Sequence, residues 1–146
     1  MSKSLSGVIA AIATPIDESG APDIKRAINL ARYLLDNGCD GLNVLGTTGE
    51  ATSFSLEERK AVMSAYKAEG LPLDRLMVGT GAAAVSDAVA LTRHAADLGF
   101  AAALVLPPFY YKGAPDDGLV AYIDTLVQAT STKPILIYLY HFPAMS

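Results

Sequence analysis

The 146-residue sequence contains no tryptophan, one cysteine and two histidines. A lone thiol, Cys39, cannot close an internal disulfide, so the expected setting is reducing and cytoplasmic. Eleven Lys and Arg stand against fifteen Asp and Glu, for a net charge of −4. The basic residues are scattered, which excludes the basic stripe that nucleic-acid binding relies on. No run reaches the ~20 apolar residues of a membrane span, so no membrane partner is expected. One cysteine, two histidines and no clustered carboxylates point to no metal site, and no cofactor is expected. No Ser-His-Asp or Cys-His arrangement can be argued either.

What is present is ordinary for a globular protein: 51% hydrophobic and 18% charged residues, enough to bury a core without staples. Near the start, Lys3 followed by SLSGVIAAIATPI has the outline of a short signal peptide. A buried first strand is the better reading, because one positive residue precedes a short apolar run that Gly7 interrupts.

Apolar runs of strand character alternate with stretches of helical period. The runs are Gly7 to Ala13, Gly41 to Leu45, Arg75 to Val78, Ala101 to Leu106 and Pro134 to Tyr138. They begin roughly 30 residues apart, the length of one βα unit. Between them lie helix candidates over Asp23 to Asn37, Leu56 to Glu69, Asp87 to Leu98 and Asp117 to Thr130. Asp23 can cap the first, and Asn37-Gly38 can end it. Ser55 and Glu58 have capping-box spacing, and Gly70 and Gly99 end the next two. No linker divides residues 1–146, which read as a single domain of five strands and four helices. An open doubly wound sheet fits, and so does part of a (βα)8 barrel; a complete barrel needs ~250 residues.

In either architecture ligands bind beyond the carboxyl ends of the strands. Those ends carry Thr14-Pro15, Gly46-Thr47-Thr48-Gly49-Glu50, Gly79-Thr80-Gly81, Pro107-Pro108-Phe109-Tyr110-Tyr111 and Tyr138-Leu139-Tyr140-His141-Phe142-Pro143. Hydroxyls, glycines and phenols gather at one edge, while the other carries Asp40, Asp74, Arg75, Lys133 and Pro134. The Gly46 to Glu50 turn suits an anion: glycines admit close backbone N–H approach, and two hydroxyls can donate. A plain glycine turn with locally bonded threonines is the alternative. Gly79 to Ala84 matches G-x-G-x-x-A, but the acidic residue at the right distance, Asp97, falls within a helix rather than after the next strand.

Together, Ala13-Thr14-Pro15, Gly46-Thr47-Thr48-Gly49-Glu50, Pro108-Phe109-Tyr110-Tyr111 and Tyr140-His141-Phe142-Pro143 resemble the dihydrodipicolinate synthase and N-acetylneuraminate lyase family in order and spacing. These are pyruvate-dependent class I aldolases on a (βα)8 barrel, and the resemblance decides for the barrel. It implies that Gly46, Thr47, Thr48 and Gly49 bind the carboxylate of pyruvate or another 2-oxo acid. It implies that Tyr140 moves protons during Schiff-base formation and carbon–carbon bond making or breaking. Thr47 would link Tyr140 to Tyr110 in a relay, with the Tyr110 position reaching a neighbouring subunit's site, so a homo-oligomer, commonly a tetramer, is implied.

Three features depart from the family pattern. The Schiff-base lysine is expected some twenty residues beyond Tyr140, past Ser146; among the lysines present only Lys112 lies on the active side, and the family gives that position no such role. This chain is therefore expected to be inactive by itself. Met145 stands where the synthase branch usually has arginine, and His141 where asparagine is common. Both favour a sugar-acid or sialic-acid-like lyase branch. The alternatives are dihydrodipicolinate synthase proper, a non-catalytic half barrel that self-associates across its open edges, and a nucleotide module built on Gly79 to Ala84.

Overall fold

A computed structural model describes residues 5–140. Five parallel strands alternate with four long helices: β1 (Ile9–Ala11), α1 (Ile24–Asp36), β2 (Gly41–Val44), α2 (Leu56–Ala68), β3 (Leu76–Gly79), α3 (Val85–Leu98), β4 (Ala102–Val105), α4 (Asp116–Thr130) and β5 (Leu136–Leu139). The strands lie in the order β1-β2-β3-β4-β5. Right-handed crossovers in an unbroken order place every helix on the same face and curl the sheet the same way. A doubly wound sheet reverses its order at a switch point; this one does not, so the sheet is a barrel wall.

The helix ends follow from their side chains. Asp23 accepts from Arg26 N–H and starts α1. Ser55 and Glu58 form both halves of the capping box at α2. Gly99 ends α3 in the left-handed region at φ 107°, where a Cβ would be strained. Most element boundaries shift by a residue or two from the sequence expectation, and α3 and β1 are examples. α3 begins at Val85 rather than Asp87, on an Ala84 cap that offers no side-chain bond. β1 is three residues long, because Gly7 turns through φ 84° and the Asp40 carboxylate takes Val8 N–H at 2.7 Å.

Alternation along the strands sorts the two faces of the wall. Leu42, Val44, Leu76 and Val78 point outward into a core with Val62, Met63, Tyr66, Leu91 and Phe100, all nearly fully buried. Ala103 and Val105 join Ala88 and Leu126 in a second cluster under α3 and α4. The inner face carries Ile9, Ala11, Asn43, Met77 and Leu104. β3, in mid-wall, is buried along its whole length, whereas Tyr138 and Leu139 on β5 are exposed.

Candidate active site

The carboxyl end of β2 departs from strand geometry at a leucine. Leu45 is 1% exposed yet has φ +53°, a conformation that costs a β-carbon-bearing residue of order 1–3 kcal/mol. Close packing holds it there. A Cβ on Gly79 would overlap the Leu45 carbonyl oxygen and stand 2.7 Å from its carbon, so only glycine fits at the end of β3. Gly49 is also closely packed, its missing Cβ 3.1 Å from Ile12 O, and Thr14 Oγ1 donates to Gly49 O at 2.8 Å. The turn is thus clamped between the ends of β1 and β3.

Within the turn, Glu50 N–H donates to Thr47 O and Ala51 N–H to Gly46 O. The N–H groups and hydroxyls of Thr47 and Thr48 make no hydrogen bond with other described residues. Both threonines are exposed at the rim of a cavity of about 380 Å3, lined also by Asn43, Tyr140, Ile9, Ala11, Met77 and Leu104. Tyr140 is placed by its own N–H, which donates to Val105 O at 2.9 Å and so continues the β4–β5 pairing. Thr47, Thr48 and Tyr140 therefore converge on one hollow at the carboxyl edge of the wall, with an apolar floor and hydrogen-bond donors at the mouth.

Tyr110 does not line that cavity. It is 74% exposed on the segment after β4, its ring edge-on to Tyr111 with centroids 5.1 Å apart. Gly46 and Gly49 are buried supports of the turn. His141, Phe142, Pro143 and Met145 lie outside the described residues, and with them the features that separated the lyase and synthase branches.

The Gly79 to Ala84 match is explained by packing. Gly79 makes room for Leu45 and Gly81 for the Leu106 side chain. Their carbonyls receive Arg59, whose Nη2 donates to Gly79 O at 2.8 Å and Nη1 to Gly81 O at 2.9 Å. Arg59 is 5% exposed, and burial lowers its pKa to about 10 against a smaller opposing pull from Asp87. Sequence reading missed Arg59, since an arginine in an amphipathic helix is ordinarily solvated. It also missed Asn43, whose Oδ1 is buried with no partner among the described residues. A single polar residue inside GLNVL was the available signal.

A curled parallel wall with a donor-lined hollow at its carboxyl edge defines the N-terminal half of a (βα)8 barrel. The chain belongs to the dihydrodipicolinate synthetase family, whose family model matches residues 4–146. The 4-hydroxy-tetrahydrodipicolinate synthase of Synechococcus sp. (strain CC9902) is 38% identical over 131 residues, which cover 90% of this chain and 43% of that protein. Among solved structures, Proteus mirabilis N-acetylneuraminate lyase superposes with a TM-score of 0.84 at 35% identity, covering 97% of this chain and 47% of that one. YagE, a prophage protein of the dihydrodipicolinic acid synthase family from E. coli K12 in complex with pyruvate, does so at 0.84 and 27%, covering 96% and 46%. The chain thus spans less than half the length of these relatives.

Proposed function

We propose that this region forms the 2-oxo-acid-binding half of a Schiff-base-forming lyase or aldolase. The observation that carries the reading is the convergence of Thr47, Thr48 and Tyr140 on one cavity, with no partner for the threonine donors among the described residues. The pyruvate complex of a structural neighbour supports the choice of ligand.

In this reading the N–H and hydroxyl groups of Thr47 and Thr48 take the carboxylate and hold the keto carbon near Tyr140. A lysine amine, supplied from beyond residue 146, adds to that carbon to give a carbinolamine. Loss of water then gives the iminium, which needs one proton delivered to the departing hydroxyl. Tyr140 passes that proton. It then delivers a proton to the aldehyde oxygen when the carbon–carbon bond forms, or takes one from the aldol hydroxyl when that bond breaks. Tyr110, exposed and not lining its own chain's cavity, would serve a neighbouring copy, with Thr47 as its link to Tyr140. The homo-oligomer and, from the lone Cys39, the reducing cytoplasmic setting belong to the same proposal.

Borohydride reduction in the presence of pyruvate tests it. The expected result is no adduct on the 146-residue chain, and one pyruvyl adduct on a lysine beyond residue 146 in a longer form of the protein. An adduct on Lys112 would sink the assignment of the nucleophile.

The substrate class has two readings. Met145 and His141 favour a polyhydroxylated aldehyde, as in a sugar-acid or sialic-acid-like branch. The curated relative is a synthase, which favours 4-hydroxy-tetrahydrodipicolinate synthase activity with a carboxylate-bearing aldehyde. Comparing kcat/KM on the two aldehyde classes separates them.

A further inference from the structure

α2 turns one face to the sheet, and its buried residues are Arg59, Val62, Met63 and Tyr66. Their spacing is that of an apolar stripe, and its first place holds a guanidinium where a leucine would suit the core. Such a side chain is costly to bury unless its donors are used. Two are used, on Gly79 O and Gly81 O. Those acceptors are neutral, and no ion pair among the described residues includes Arg59. Asp87, the acidic group that acts on it, is exposed to solvent. Its positive charge therefore persists inside the wall without a bonded anion, and Nε has no partner among the described residues.

The location of that charge gives it a use. A small cavity of about 60 Å3 is lined by Gly46 and Thr47 of the turn together with Arg59, Gly79 and Gly81. Gly79 is also the residue against which the left-handed Leu45 rests. The end of β3, fixed by Arg59, therefore supports the turn from beneath.

We propose that Arg59 is a positioning residue for the anion turn. It pins the end of β3 that braces Leu45, and it places a positive charge, with no ion pair among the described residues, on the small cavity it shares with Thr47, where it favours a carboxylate bound at the turn. The inference rests on the 2-oxo acid reading of Thr47 and Thr48 and adds the charge that their neutral donors lack. Coulomb attraction across a poorly hydrated wall is screened far less than at a surface.

Amide NMR titration of the full chain with pyruvate, and with pyruvamide as a probe of similar shape and no charge, tests it. In the wild type, pyruvate shifts the amides of Gly46 to Glu50. Arg59→Gln, which can keep one carbonyl bond but not the charge, binds pyruvate on the order of tenfold more weakly, with a clearly smaller loss for pyruvamide. Arg59→Lys keeps the charge and therefore the preference for pyruvate over pyruvamide, while losing one carbonyl bond, so Gly46 and Gly49 amides exchange faster.

Equal pyruvate affinity in the wild type and Arg59→Gln overturns the inference and leaves the carboxylate reading standing. Parallel loss of both probes also overturns it, since a merely structural role predicts that result. Where Arg59→Gln does not fold, loss of the pyruvate preference in folded Arg59→Lys is decisive against it. A wild type that shows no pyruvate-dependent shift contradicts the carboxylate reading itself, and this inference with it.

Discussion

Replacing Gly79 with alanine puts one methyl group into the joint between β2 and β3. The new Cβ would overlap the Leu45 carbonyl oxygen, 2.7 Å from its carbon and 3.2 Å from Gly46 Cα. All three obstacles are backbone, so no side chain can swing aside. Overpacking in a tight core costs roughly 1–3 kcal/mol, and a backbone obstacle belongs at the upper end, about 3 kcal/mol. For a chain of this size that is about 10 °C in Tm. The control is Gly99→Ala, where φ is 107° but nothing lies within 4 Å. Only left-handed strain acts there, about 1 kcal/mol. Thermal unfolding followed by circular dichroism measures both. The reasoning is refuted if Gly79→Ala loses no more than Gly99→Ala.

Three further outcomes are expected. Ser55→Ala removes half of the capping box at α2 and costs about 1 kcal/mol in denaturant unfolding; an unchanged midpoint would contradict the cap's contribution. Burial raises the Tyr122 pKa to about 12, and its hydroxyl donates to Ala82 O at 2.7 Å. A folded pKa above the unfolded value of about 10 gives stability that is complete below pH 10 and lost as pH rises towards 12. Tyr122→Phe should flatten that alkaline limb, and an identical profile in the variant would count against it. Asp97 shows the opposite sign: its hydrogen bond from Lys133 lowers its pKa, so its contribution is present above the unfolded carboxylate value and fades as acid protonates it. Lys133→Met should therefore lose stability at neutral pH and little near pH 2, a difference that acid titration of the two proteins displays.

Period and punctuation carried much of the fold to the page. The ~30-residue rhythm, the Asp23 and Ser55 caps and the Gly99 stop each correspond to a physical requirement of a βα unit, and the elements stand where those residues put them. Periodicity did not choose between sheet architectures, because helix faces and strand runs look alike in both; strand order decides it, and strand order is a long-range property. The same limit shaped the site. Thr47 and Thr48 were legible because a glycine-flanked hydroxyl pair follows an apolar run. Arg59 was not, because its burial depends on carbonyls at the carboxyl end of β3, some twenty residues away. Leu45 was opaque too, since nothing about a leucine announces a left-handed turn; its backbone is set by Gly79 across the sheet.

The most direct test of the central claim is a crystal structure of the protein grown with pyruvate. The account predicts the carboxylate oxygens within about 3 Å of the Thr47 and Thr48 N–H and hydroxyl groups, with the keto carbon facing Tyr140. Pyruvate seated anywhere else on the chain, with the Thr47–Thr48 turn bonded only to water, would contradict it.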